Sequence, residues 1–120
     1  MHLTILYVED NKFVADAVKE TLEGEGWRVE RCADGYVALL LIKSDRRYDL
    51  ILLDNELPNV NGLELARRAR ELPHRTGTPI IMLSVSEGVR DALLAGADVF
   101  LRKPQDIGKV VETIKRLLDR

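Results

Sequence analysis

The sequence predicts an α/β fold, a doubly wound sheet of five parallel strands, and three observations carry that reading. Short apolar runs rich in branched side chains recur at Leu3 to Val8, Leu50 to Leu53 and Ile80 to Leu83, with weaker ones at Trp27 to Cys32 and Val99 to Leu101. Segments whose apolar residues recur at helical spacing separate these runs. The alternation of strand and helix is strict, and right-handed crossovers then return the chain to a parallel sheet covered by helices on both faces.

Each element has its own signal. The first, third and fourth strands are short, nearly continuous apolar runs, as expected of strands buried on both faces. Asn11 is placed to cap a helix carrying Val14, Ala17, Val18 and Thr21 or Leu22 at helical spacing, and Gly24 and Gly26 suit its end. The second helix, Gly35 to Ser44, is apolar nearly all round. Because Leu39 to Ile42 cannot all point inward from one helix, an exposed apolar patch is expected there. Leu65, Ala66, Ala69 and Leu72 mark a third helix with Arg67, Arg68 and Arg70 turned to water, and Val89, Ala92 and Leu93 a short fourth. Ile107, Val110, Val111, Ile114, Leu117 and Leu118 make a fifth after Pro104.

The 120 residues, 46% hydrophobic, hold material for one core, so residues 1–120 are read as a single domain. A net charge of −2 from 18 basic and 20 acidic residues supplies no broad cationic surface, so no direct nucleic-acid contact is expected. The single cysteine, Cys32, allows neither an internal disulfide nor a cysteine-rich zinc site, in keeping with a cytoplasmic location. The longest aliphatic run, Val37 to Ile42, has six residues, whereas a membrane-crossing helix needs ~20. The opening segment meets Glu9 and Asp10 before a signal-peptide core reaches working length. Neither His2 nor His74 stands at a metal-ligand spacing, and both are read as surface residues.

Ligands of open parallel sheets bind beyond the C-terminal ends of the strands. Those ends carry Glu9 and Asp10, Asp54, Ser84 and Lys103, so three acids, one hydroxyl and one ammonium converge from four strands. Crowded carboxylates raise one another's pKa unless a cation is present, and an all-oxygen ligand set suits magnesium better than zinc. Lys103 adds a compact positive charge and Ser84 a hydrogen-bond donor. The group is suited to an anion arriving beside a divalent metal.

In this pattern the chain resembles the response-regulator receiver family of two-component signalling over nearly its whole length. Pro58 and Gly62, four and eight positions after Asp54, also stand where that family has them. The resemblance implies the flavodoxin-like (βα)5 receiver fold and a switch phosphorylated on Asp54 by a histidine kinase or a histidine phosphotransfer protein. It implies that Asp10 and Asp54 bind Mg2+ directly, that Glu9 acts on the metal through water, and that the backbone carbonyl of Glu56 is a further ligand. Lys103 and Ser84 would contact the phosphoryl group, Ser84 and Phe100 would form the packing switch, and Lys103-Pro104 would be a cis peptide.

The same resemblance implies a signalling switch that promotes its own magnesium-dependent phosphorylation and dephosphorylation without being an enzyme for another substrate. Glu56 would tune phosphoryl lifetime, with the sign left open. The alternative is a receiver-like interaction module that is never phosphorylated; such modules lose the acids or the lysine, which are all present here. A flavodoxin-type binder or an aspartate phosphatase would place a phosphate loop or the nucleophile after the first strand, where glycine is absent. Ser84 to Lys103 spans 19 positions, fewer than receivers usually have, so the fourth helix or its preceding loop should be short. That trims the face through which receivers pair, so a monomeric or weakly self-associating chain with a protein partner for output is expected. The chain ends one helix after Lys103-Pro104, with no room inside it for an output domain.

Overall fold

The computed structural model describes residues 2–85 and 88–119, so Ser86, whose role the sequence leaves undecided, lies outside the described residues. Five strands, β1 (Thr4–Val8), β2 (Arg28–Cys32), β3 (Leu50–Leu53), β4 (Ile80–Ser84) and β5 (Val99–Arg102), alternate with five α-helices. These are α1 (Lys12–Glu23), α2 (Gly35–Lys43), α3 (Gly62–Glu71), α4 (Val89–Ala95) and α5 (Val110–Leu118). The strands pair in parallel in the order β2-β1-β3-β4-β5. The order reverses between β1 and β3, which opens a crevice between their C-terminal ends.

Alternation along the strands splits the core into two layers. Leu6, Val8, Ile51, Leu53, Ile80 and Met82 face α2, α3 and α4, whose Leu39, Ile42, Leu65, Ala66 and Ala92 complete that cluster. Ile5, Tyr7, Leu50, Leu52, Ile81 and Leu83 face α1 and α5 through Ala15, Val18, Leu22, Val110 and Ile114. β3 and β4 are buried along their whole length, which is why they read as unbroken apolar runs.

Local signals account for most helix starts. The Asn11 side chain accepts the Val14 N–H, Asp34 those of Tyr36 and Val37, and Asn61 that of Glu64, each satisfying donors that a helix N-terminus leaves open. Gly62 begins α3 hard against the backbone of Asp54 and Asn55, so a Cβ there would collide with both. The chain ahead of α5 forms a 3₁₀ turn at Ile107–Lys109, so Ile107 is not part of the α-helix proper. α4 has seven residues and is shorter than the other four helices. On α2, Leu39 and Ile42 are buried while Tyr36, Val37 and Leu40 are exposed, which is the apolar patch expected there.

Arg70 departs from the solvated face expected of α3. Its guanidinium donates to the carbonyls of Gly96, Thr78, Thr76 and Arg75, and pairs with Asp98 at 2.8 Å. A helix-surface pattern cannot reveal this, because the carbonyls come from the segment ahead of β4 and the turn after α4. Arg75 is also buried, and its guanidinium donates to the Ile42, Leu41 and Ser44 carbonyls at the end of α2. It also lies 4.9 Å from the Tyr48 ring centroid, within cation–π range. Two arginines thus add donors to carbonyls at the ends of α2 and α4.

Candidate functional site

Glu9 and Asp10 follow β1, Asp54 follows β3, and together they form, among the described residues, a group of three carboxylates with ligand oxygens within 4.8 Å of one another. Glu9 and Asp54 are buried, at 1% and 2% exposure, while Asp10 faces solvent. Lys103 enters from the end of β5. Its ammonium lies 2.8 Å from Glu9 Oε1 and 3.2 Å from Asp54 Oδ2, so one cation serves two buried acids. The Lys103-Pro104 peptide bond is cis.

Backbone donors hold the carboxylates. The Asn11 N–H donates to Glu9 Oε2 at 3.1 Å and the Glu56 N–H to Asp54 Oδ1 at 3.1 Å. Asn55 braces the loop after Asp54: its side-chain oxygen accepts the Leu63 N–H at 3.1 Å, and its carbonyl accepts those of Leu57 and Gly62. Arg31 on β2 donates to the Glu9 carbonyl at 3.0 Å and the Asp10 carbonyl at 3.4 Å, fixing the turn that presents both acids. Neither Asn55 nor Arg31 carries a sequence signal for this work, since one looks like an ordinary turn residue and the other like a strand-surface charge.

The electrostatics follow from burial. Burial and then the nearby Glu9 charge push the Asp54 carboxyl up to about 7, against the opposing pull of Lys103 and the Glu56 N–H. Burial alone would push the Lys103 ammonium down, but its hydrogen bond to Glu9 and the charges of Asp54 and Glu9 outweigh that and raise it. Tyr7 lies on the β1 face that leads to Glu9, and its phenol is buried with no hydrogen-bond partner. Burial, followed by the charges of Glu9 and Asp54, raises its pKa. One lysine therefore does not neutralise this pocket, and a divalent cation on oxygen ligands suits what remains.

Ser84 is buried at the end of β4, and its hydroxyl donates to the Glu56 carboxylate, with Oε1 at 2.9 Å and Oε2 at 2.8 Å. The Val85 N–H donates to the same carboxylate at 3.3 Å. Phe100, paired in register with Met82, is half-buried against the α2–α4 layer of the core. His2 and His74 are exposed, and the His74 ring Nε2 lies 2.9 Å from the Ser44 carbonyl, away from the acid group.

With this geometry in view, comparison with known proteins gives a single answer. The profile of the response regulator receiver domain matches residues 5–115. Among curated proteins, the transcriptional regulatory protein CseB of Streptomyces coelicolor is 36% identical over 97% of this chain and 49% of its own length. The phosphate regulon transcriptional regulatory protein PhoB of Rhizobium meliloti is 37% identical over 97% and 52%. Among solved structures, the CheY-like receiver domain protein of Methanospirillum hungatei superposes with a TM-score of 0.89 at 34% identity, covering 99% of this chain and 95% of that one. The receiver domain of the sensor histidine kinase PA1611 from Pseudomonas aeruginosa, solved with magnesium coordinated in its active-site cleft, gives 0.90 at 31% identity, covering all of both chains.

The chain belongs to the response regulator receiver family, the phosphorylation-driven switches of two-component signalling. It spans about half the length of the curated relatives it matches. Among its described residues no helix is long and apolar enough to cross a membrane.

Proposed function

We propose that Asp54 is the phosphoacceptor of this receiver, taking a phosphoryl group from a histidine kinase or a histidine phosphotransfer protein. The observation that carries this reading is the shared Lys103 ammonium, 2.8 Å from Glu9 and 3.2 Å from Asp54 in an otherwise acidic, buried crevice. An Asp54 carboxylate oxygen attacks phosphorus in line, a P–O bond forms as the donor's P–N bond breaks, and the phosphoryl group stays on Asp54 as an acyl phosphate. Lys103 would exchange part of its contact with Glu9 and Asp54 for a phosphoryl oxygen, and the Ser84 hydroxyl would donate to another.

Asp10, Asp54 and the Glu56 carbonyl would hold Mg2+, with Glu9 acting through water. The ion would offset the charge of the incoming phosphoryl group and help align donor and acceptor. The backbone bonds from Asn11 to Glu9 and from Glu56 to Asp54 keep the carboxylates oriented meanwhile. Ser84 and Phe100 would then repack to report the change. The chain would thereby promote its own phosphorylation and dephosphorylation. The short α4 supports output through a protein partner or a further domain rather than through a tight receiver dimer.

The test is incubation with a small phosphodonor and magnesium. One acid-stable, base-labile acyl phosphate is expected on the wild type and none on Asp54→Asn. Labelling of Asp54→Asn at the wild-type rate would overturn the assignment.

A further inference from the structure

We infer that the Glu56 carboxylate is a resting-state catch for Ser84, a positioning residue that must release the hydroxyl before the phosphorylated form can assemble. The inference rests on the reading of Asp54 as phosphoacceptor and concerns how readily the phosphorylated form assembles, a separate matter from the phosphoryl lifetime that Glu56 would tune.

The argument begins with one proton. The Ser84 hydroxyl carries a single hydrogen, and both Glu56 carboxylate oxygens lie within 2.9 Å of Ser84 Oγ. A hydroxyl donating to Glu56 cannot also donate to a phosphoryl oxygen on Asp54, so the two acceptors compete for one donor. The competitor presents both of its oxygens to that one hydroxyl. The catch is also anchored at both ends. The Glu56 N–H donates to Asp54 Oδ1 at 3.1 Å, tying the residue to the nucleophile, and the Val85 N–H donates to its carboxylate at 3.3 Å.

A phosphoryl group on Asp54 therefore acts on Glu56 twice. It offers Ser84 a better-charged acceptor, and its negative charge repels the carboxylate already seated there. Release of Glu56 breaks its bonds to the Ser84 hydroxyl and the Val85 N–H, so one carboxylate couples the nucleophile loop to the switch strand.

The test uses beryllofluoride, a phosphoryl mimic, titrated calorimetrically with magnesium into the full chain. Glu56→Ala is expected to bind it roughly three- to tenfold more tightly than wild type, the range that one ordinary net hydrogen bond supports. Glu56→Gln, which keeps an acceptor and loses the charge, should fall between them and guards against misfolding of the alanine variant. Removing a negative charge alone also tightens anion binding, so the same pair is measured on a Ser84→Ala background. The gain should shrink there, because no hydroxyl remains to be released. On the wild type, the Val85 amide resonance should move when the mimic binds.

An equal gain on both backgrounds, or weaker binding by Glu56→Ala and Glu56→Gln, would overturn the catch while leaving Asp54 in place. A wild type that shows no magnesium-dependent response to the mimic would instead overturn the phosphoacceptor reading, and the catch with it.

Discussion

The two sides of the crevice are built differently. On the β1–β3–β5 side, Glu9, Asp54 and Lys103 are interlocked, buried and held by backbone donors. On the β4–α4 side, the buried Ser84 hydroxyl is engaged by the exposed Glu56, Phe100 is only half-buried, and α4 leaves Leu93 at 48% and Leu94 at 76% exposure. Chemistry needs groups that do not move, because misplacement by about an ångström costs rate steeply. A switch needs groups whose two arrangements differ little in free energy, so it is drawn from the less tightly packed part of the fold.

Three measurements break or sharpen that contrast. Lys103→Ala should have the largest effect, since it strips the shared cation from two buried carboxylates. A loss of roughly 2–3 kcal/mol in magnesium-free urea unfolding is expected, with Asp54 limiting the cost by taking up a proton. A loss near zero would mean that the acid side is not interlocked as drawn.

The second measurement is the pH dependence of stability without metal. The Asp54 carboxyl titrates near 3.8 when unfolded and at about 7 when folded, so the folded state holds the extra proton between those values. Stability should therefore fall as the pH rises through that window, and magnesium should flatten the fall by favouring the ionised carboxylate. Urea unfolding at about pH 5 and about pH 8, with and without chelator, gives the sign directly. Metal-free protein that gains stability towards the higher pH would contradict the buried, acid-crowded environment of Asp54.

The smallest effect is expected from Tyr7→Phe. Its hydroxyl is buried without a partner, so deleting it removes a desolvation cost and breaks no hydrogen bond. Stability should stay level or rise by up to about 1 kcal/mol in thermal or urea unfolding. A clear loss would reveal a partner for the phenol and make Tyr7 part of the interlocked side.

Much of the architecture was legible in the sequence for a definite reason. Strands buried on both faces must be apolar throughout, so Leu50 to Leu53 and Ile80 to Leu83 announce themselves. Helix caps act within three residues, so Asn11 could be read from its neighbours. The strand-end acids could be placed because an alternating fold carries every strand end to one edge. Where the sequence reading failed, the interaction joined segments far apart. Arg70 sits on a helix surface by pattern, yet two of its partners, Gly96 and Asp98, lie beyond β4 and α4, and nothing local marks Arg31 as the support of the Glu9 turn.

By itself, then, the sequence determined the element order, the strand ends that carry chemistry and the family to which they belong, because those depend on period, caps and short-range spacing. Only the tertiary structure decided that Lys103 pairs with Glu9 across 94 positions, that Glu56 engages Ser84 across 28, and that Tyr7 is left without a partner. Side-chain pairing depends on directions and distances within a packed interior, and a one-dimensional pattern carries neither.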